Sequence, residues 1–126
     1  MFKAGGSTKA VGDEAEARAL AWLCARGLRL VQRNYRVARG PGAAGGEIDL
    51  IMRDAHGTLV FVEVRARRDG SRGGAGASIT AAKRARIVHT AQHYLLRLAV
   101  MPACRFDVVT LDGDTIEWLP AAFDAL

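Results

Sequence analysis

Two short apolar runs that each carry acidic residues constrain the fold of this chain more than any other feature. Residues 46–52 and 59–65 have the apolar, β-branched character of strands. Between them, Ala55-His56-Gly57 fits a hairpin loop, because glycine readily adopts the left-handed conformation that such loops require. The sequence therefore predicts a β-hairpin with carboxylates inside apolar strands, where burial is costly unless a cation or a donor satisfies them.

The register of this hairpin determines which charges face each other. A three-residue loop sets Asp49 opposite Glu63, and the same ladder sets Glu47 opposite Arg65, on one face because strand side chains alternate. Facing carboxylates repel, and a bound divalent cation relieves the repulsion, with Mg²⁺ or Mn²⁺ favoured by hard oxygen ligands. A plainer interpretation stays open: Glu47 and Arg65 form an ordinary cross-strand ion pair on a solvated face of a structural protein.

The length and composition fit a single globular domain over residues 1–126, of which 50% are hydrophobic. No run approaches the ~18 apolar residues of a membrane span, and the start of the chain lacks the apolar core of a secretory signal. We therefore expect a cytoplasmic protein without a membrane partner. The two cysteines, Cys24 and Cys104, lack zinc-site spacing and are expected to be buried free thiols.

Positive charge is concentrated in the first part of the chain. The net charge is +5, but residues 105–126 hold one arginine and five acids, which leaves 17 basic and 8 acidic residues before them. A GC-rich genome explains the excess of arginine over lysine but not this distribution, which is typical of a protein that meets a polyanion. We expect DNA contacts from the basic residues around the acidic hairpin: Arg33, Arg36, Arg67, Arg68, Arg72, Lys83, Arg84 and Arg86.

The pattern of elements predicts an α/β fold. A helix over 8–26 ends at Gly27, a strand follows over 28–37, and after the hairpin a helix begins at Ser78 or Thr80 and runs to about Leu98. Strands over 104–111 and 115–119 complete a mixed sheet of about five strands flanked by helices. The predicted core stripe of the second helix is Ala81, Ala85, Val88, Ala91, Leu95 and Leu98.

An acid on one strand followed by Glu-x-basic on the next resembles the PD-(D/E)xK nuclease core. More closely, the chain resembles the YraN family of small bacterial proteins over about residues 9–119. The stretches that carry this resemblance are Gly12-x-Glu14-x-x-Ala17, Arg33-Asn34-Tyr35-Arg36, Gly46-Glu47-Ile48-Asp49-Leu50-Ile51, Phe61-Val62-Glu63-Val64-Arg65-x-Arg67, Lys83 and Arg105-Phe106-Asp107-Val108-Val109.

The resemblance implies a restriction-endonuclease-like fold similar to Holliday-junction resolvases, with Asp49 and Glu63 as metal ligands and Glu14 as an outer acid. Arg65 stands where the nuclease pattern has lysine. Arginine stabilises developing charge but cannot act as a base, so only the electrostatic role is expected of it. Lys83 is a candidate source of an amine from another direction, and Glu47 a candidate to orient Arg65 or to join the outer sphere.

The expected function is metal-dependent hydrolysis of phosphodiester bonds in DNA by an endonuclease that uses Mg²⁺ or Mn²⁺ and selects DNA shape, such as branched or single-stranded forms. Cutting both strands would require a homodimer or a protein partner. The alternative is a nuclease-fold nucleic-acid-binding module with weak or no activity in a repair, recombination or uptake complex, which the Arg65 substitution favours.

His89 and His93 are four residues apart on the second predicted helix, a spacing that could chelate a transition metal. The residues between them lack the glutamate of a zinc-peptidase helix, so a zinc site is not expected.

Overall fold

Two helices and five strands make up the parts of the chain that the computed structural model describes, residues 8–41, 45–67 and 79–125. The elements are helix α1 Thr8–Ala25, strands β1 Arg29–Val37, β2 Gly46–Arg53 and β3 Leu59–Arg67, helix α2 Ala81–Leu95, and strands β4 Cys104–Asp112 and β5 Thr115–Phe123. Their order confirms the predicted α/β class. Neither of these helices is long and apolar enough to cross a lipid bilayer.

The strands form one mixed sheet in the order β1-β2-β3-β4-β5. All neighbours are antiparallel except β3 and β4, which run parallel because α2 carries the chain across between them. The predicted mixed sheet of five strands is confirmed.

Each helix covers one face of the sheet, so the core has two layers. Ala15, Ala19 and Leu23 of α1 pack on one face, and Ile87, Ala91 and Tyr94 of α2 pack on the other. The α1 side of the sheet contributes Leu50, Met52, Val60, Val62, Val109 and Leu111, and the α2 side contributes Ile48, Ile51, Leu59, Phe61 and Phe106.

Local signals in the sequence set the element ends. Gly27, two residues after the end of α1, has a φ of 99°. Thr80 caps α2 by accepting a hydrogen bond from the Lys83 N–H at 3.1 Å. The predicted hairpin register is confirmed near the turn: residues 50–53 pair with residues 59–62, and Gly57 in the loop has a φ of 87°. The paired ladder ends at Leu50 and Val62, so it does not include the predicted pairs of Asp49 with Glu63 and of Glu47 with Arg65.

One packing prediction was confirmed in part and another was wrong. In the stripe predicted for α2, Ala91 is buried and Val88, Leu95 and Leu98 pack against the core. Ala81 and Ala85 are exposed, and the other buried residues of the helix are Ile87, Thr90 and Tyr94. Thr90 is tolerated inside because its hydroxyl donates to the carbonyl of Arg86 at 2.8 Å, which satisfies the polar group within the helix. Both cysteines are exposed rather than buried, since one lies on the solvent side of α1 and the other begins β4.

Candidate functional site

Strand β1 changes face at Asn34. The Arg33 guanidinium lies 3.7 Å from Glu16 on the α1 side, whereas Tyr35 packs on the α2 side against Tyr94. Residues two apart in a regular strand share a face. The residue between them has a left-handed φ of 55°, and this turn of the backbone produces the change.

Strand β2 changes face at the same level. Ile48 packs on the α2 side but Leu50 packs on the α1 side, so alternation is interrupted at Asp49. The flanking pairs of β1 and β2 set Asn34 opposite Asp49. On the other side of β2, the paired ladder with β3 ends at Leu50, and Asp49 Oδ2 accepts a hydrogen bond from the Val64 N–H at 2.8 Å. The sheet therefore contains a local seam.

Three carboxylates converge at this seam. Glu16 of α1 and Glu47 and Asp49 of β2, here called the acid cluster, each place one oxygen within 4.8 Å of the other two. The Asn34 amide group lies against two of these acids, and the orientation that satisfies its hydrogen bonding turns its nitrogen towards them. In this orientation the nitrogen donates to Glu47 Oε2 at 2.9 Å and to Glu16 Oε1 at 3.0 Å. One acid from a strand and one from a helix thus meet at a single amide.

Glu63 approaches the seam from the opposite face. It shares the α2 side with Phe61, and its side chain is 7% exposed. Its Oε2 lies 3.5 Å from Lys83 Nζ and 3.9 Å from Arg65. Because the charge of Glu63 also acts on Asp49, the latter acid links the two faces of the sheet.

Burial and mutual repulsion raise the pKa of these acids. Burial raises the pKa of Asp49 to about 7, and the charges of Glu63 and Glu47 add to the shift. Burial likewise raises the pKa of Glu16 to about 7, with the charges of Asp49 and Glu47 adding to it. The pKa of Glu63 is raised by burial against the opposing charges of Lys83 and Arg65. Two carboxyls, those of Asp49 and Glu16, therefore gain or lose a proton near neutral pH.

Arginines of β1 flank the acid cluster. Arg36 lies 3.3 Å from Glu47 Oε2, with its side chain 67% exposed. Arg33 lies beside Glu16, and its Nε is buried without a hydrogen-bond partner. Both arginines partly offset the cluster's charge, but neither removes the repulsion that raises the acids' pKa values.

The structure brings most of the predicted catalytic residues together but not Glu14. That residue is exposed and lines a separate cavity of about 210 Å³ with Ala66 and Gly113. Residues two apart on a helix point in nearly opposite directions, so Glu16 rather than Glu14 faces the seam from α1. Glu47 also differs from expectation: it pairs with Arg36 on β1 rather than with Arg65 across the hairpin.

The predicted DNA-contacting residues divide into three groups. Arg33 and Lys83 form ion pairs with acids at the seam, with Glu16 and Glu63 respectively. Arg36 and the α2 residues Arg84 and Arg86 are exposed. Arg68 and Arg72 lie outside the described residues, as does the side chain of Arg67, whose backbone ends β3.

Asp107 belongs to a separate ion-pair network. Its carboxylate accepts from Arg105 Nε at 3.0 Å, Trp118 Nε1 at 2.9 Å and the Ala121 N–H at 2.9 Å. Arg105 also donates to Asp54 at 3.1 Å. Asp107 is thus satisfied by its own network and does not take part in the seam.

The histidines of α2 do not form a metal site with other described residues. The rings of His89 and His93 lie 4.9 Å apart and both residues are exposed. Among the residues that the structure describes, the acid cluster is the group of three candidate ligands whose oxygen atoms all lie within 4.8 Å of one another.

Comparison with known proteins places this α/β chain in a family. Residues 15–111 match the "Uncharacterised protein family UPF0102", so the chain belongs to that family, and the resemblance to YraN proteins is confirmed. A UPF0102 protein of Methylibium petroleiphilum is 61% identical over 119 residues, which cover 94% of this chain and 98% of the relative. Another from Paracidovorax citrulli is 63% identical over 119 residues, covering 94% and 86% respectively.

A solved structure also shares the fold. The protein in "Crystal structure of SSO0001" superimposes with a TM-score of 0.51 at 15% identity, covering 95% of this chain and 55% of that chain. At this identity the likeness concerns the fold alone. The names of these similar proteins state no activity, so function has to be argued from the site.

Proposed function

We propose that this protein is a metal-dependent nuclease that hydrolyses phosphodiester bonds in DNA. The observation that carries the proposal is the convergence of Glu16, Glu47 and Asp49 oxygens within 4.8 Å at a seam of the sheet. Carboxylates held this close are costly to the fold unless a proton or a cation lies between them. Selection for stability alone would disfavour the arrangement, whereas selection for metal binding accounts for it.

The donor set fits Mg²⁺ or Mn²⁺. All three groups of the acid cluster offer hard oxygen atoms, which these ions prefer, and Glu63 lies next to Asp49 as a fourth carboxylate. When bound, such an ion supplies Lewis acidity, polarising a phosphoryl oxygen and promoting ionisation of water. Asp49 is the central ligand in this proposal, because it interacts with the acids of both faces.

The cations on the α2 side supply the remaining chemistry. Arg65 and Lys83 flank Glu63 and together face the charge that develops on a phosphate. Arginine holds its proton, so Lys83 Nζ is the group able to give a proton to the leaving oxygen. Glu63 orients both side chains. Lys83 thereby takes the role that the nuclease pattern assigns to the lysine replaced by Arg65.

The basic surface beside the seam suits a DNA backbone. Arg36, Arg84 and Arg86 are exposed, and phosphate contacts of this kind carry affinity without base recognition. The described residues form no separate module for reading a sequence, so selection by DNA shape is the consistent form of specificity. Cleavage of both strands would require a second copy or a protein partner.

A nucleic-acid-binding module without turnover is the second candidate. The observation that favours it is Arg65 at the position of the usual lysine, together with Lys83 held in an ion pair with Glu63 at 3.5 Å. In that case the acid cluster binds metal, but no group completes proton transfer.

Cleavage assays separate the two candidates. Purified protein is incubated with branched, single-stranded and duplex DNA in Mg²⁺ or Mn²⁺, beside the Asp49→Asn and Lys83→Met variants and the matched control Glu14→Gln. Nuclease function predicts cleavage by wild type and Glu14→Gln and a loss of at least about a hundredfold in both other variants. Absence of cleavage with any substrate, while DNA binding persists, supports the binding module.

DNA binding is tested independently of cleavage. In chelator, Arg84→Gln/Arg86→Gln should weaken binding to every DNA sequence and reduce its salt dependence, because phosphate contacts are lost. Arg26→Gln is the control, since Arg26 stacks on Trp22. Equal affinities for the double variant and the control would remove α2 from the interface.

A further inference from the structure

Asn34 is one of two non-glycine residues with a positive φ among the residues described, the other being Ala121. Left-handed backbone is unfavourable for residues with a Cβ, although asparagine tolerates it better than most. Such a conformation persists where the surrounding structure imposes it, and strained residues of this kind cluster at functional sites.

The backbone of Asn34 accounts for the geometry of the seam. Arg33 and Tyr35, its neighbours, point to opposite faces of the sheet, and the register sets Asn34 across from Asp49. A regular strand here would direct this side chain away from at least one of the acids. The left-handed turn instead directs the amide towards Glu16 and Glu47 together.

The amide contacts carboxylates that come from different elements. One nitrogen donates to Glu47 Oε2 at 2.9 Å and to Glu16 Oε1 at 3.0 Å. Arg33 and Arg36 reach the same two oxygens from 3.7 and 3.3 Å, so charge is already offset there. The neutral amide adds direction: it holds a helix carboxylate and a strand carboxylate at one point, next to Asp49.

We infer that Asn34 is a positioning residue that converges Glu16 and Glu47 on a common divalent cation and so sets the affinity of the site for that ion. The inference rests on the proposed metal-dependent function. It also gives a role to the Arg33-Asn34-Tyr35-Arg36 stretch, whose asparagine has no part in the chemistry proposed above.

The test is Mn²⁺ binding by the full chain, measured by isothermal titration calorimetry, with thermal melts in chelator. Asn34→Gly retains the left-handed backbone without a Cβ but removes the amide, so Mn²⁺ affinity should fall by about tenfold or more while the melting temperature in chelator is maintained. Asn34→Asp places a further carboxylate at the same point. It should lower the melting temperature in chelator and raise Mn²⁺ affinity.

Ala121→Gly is the matched control, because it relaxes the other left-handed residue without altering the acid cluster. It should bind Mn²⁺ with wild-type affinity. Wild-type affinity in Asn34→Gly or in Asn34→Asp would overturn the inference while leaving the metal site intact. Failure of the wild-type protein itself to bind Mn²⁺ would overturn the proposed function, and this inference with it.

Discussion

Asp107 and Asp49 are acids on strands of the same sheet, yet their surroundings are opposite. The Asp107 carboxylate receives a guanidinium, an indole N–H and a backbone N–H, all within about 3 Å. Asp49 receives one backbone N–H at 2.8 Å, and the charges of Glu63 and Glu47 raise its pKa against the smaller opposing effect of Lys83. The first acid is satisfied by the fold, whereas the charged form of the second is disfavoured by burial and by its acidic neighbours.

A left-handed residue accompanies each acid, but the two act differently. Ala121 turns its backbone N–H onto Asp107, where β5 carries an irregularity opposite β4. Asn34 turns a side-chain amide onto two acids that already repel. Backbone distortion therefore completes a structural network in one region and maintains an unsatisfied one in the other. The number of donors per carboxylate, more than burial, distinguishes the two regions.

The largest expected effect is the loss of the satisfied acid. Asp107→Asn should lower the free energy of unfolding by about 3 kcal/mol, because it leaves buried donors and the Arg105 charge without their partner. Urea denaturation measures the change. Glu117→Gln, on an exposed position of β5, is the control and should stay within about 0.5 kcal/mol of wild type. A small effect of Asp107→Asn would mean that the network contributes little.

Asp49→Asn should behave in the opposite way. In chelator it should be as stable as wild type or up to about 1 kcal/mol more stable, since a repelling charge is removed. With Mn²⁺ at about a hundred times its Kd, wild type should gain about 2.7 kcal/mol and the variant little. Glu63→Gln should lose stability in chelator, because Lys83 and Arg65 lose their partner. If Asp49→Asn is destabilised in chelator and wild type shows no response to metal, then Asp49 has a structural role like that of Asp107.

Stability should also depend on pH in the absence of metal. Asp49 and Glu16 have pKa values of about 7 in the folded protein, against ordinary values of 3.8 and 4.5. Between these limits the folded state holds protons that the unfolded chain has released, so the free energy of unfolding falls as pH rises towards 7. We expect wild type in chelator to be about 2 kcal/mol less stable at pH 8 than at pH 5.5. The Asp49→Asn/Glu16→Gln double variant should lose this dependence, and an equal slope in both proteins would refute its origin.

The smallest expected effect separates two acids of one helix. Glu14→Gln should change stability by less than about 0.5 kcal/mol and leave the Mn²⁺ response at the wild-type level, because Glu14 is exposed. Glu16→Gln should reduce that response, since it removes a ligand of the acid cluster. Thermal melts of both variants with and without Mn²⁺ make the comparison. Equal responses would exclude α1 from the metal site.

Local chemistry in the sequence was sufficient to predict much of the fold. The loop before Thr58 contains a glycine suited to left-handed backbone, and the register that follows from it holds as far as Leu50 and Val62. Thr80 was similarly recognisable as a helix cap. These features depend on neighbouring residues, and neighbouring residues are what the sequence displays directly.

The choice between Glu14 and Glu16 could have been made from the sequence. At about 100° per residue, Glu16 lies within about 20° of Leu23 around the helix, whereas Glu14 lies on the opposite side. Leu23 is fully buried, so an acid on its stripe is the unusual one. The informative signal was the position of Glu16 on the apolar stripe of the helix, whereas the family motif contains Glu14.

The seam itself could not have been predicted. Predictions from alternating residues assume that side chains point to the two faces of the sheet in turn along the whole strand. The presence of asparagine at position 34 does not by itself predict a positive φ in the middle of a strand. The contact of Lys83 with Glu63 likewise depends on where α2 docks after the crossover. Both features are tertiary, so they are decided by packing rather than by local preference.

The site draws its parts from five elements: Glu16 from α1, Asn34 from β1, Glu47 and Asp49 from β2, Glu63 from β3 and Lys83 from α2. Its two helices lie on opposite faces, so a chain in which only one layer has docked has only part of the constellation. Divalent-cation affinity should therefore emerge at the final step of folding. In a refolding experiment, the time course of Mn²⁺ binding would report when the last helix docks on the sheet. An incompletely folded chain would not bind the ion.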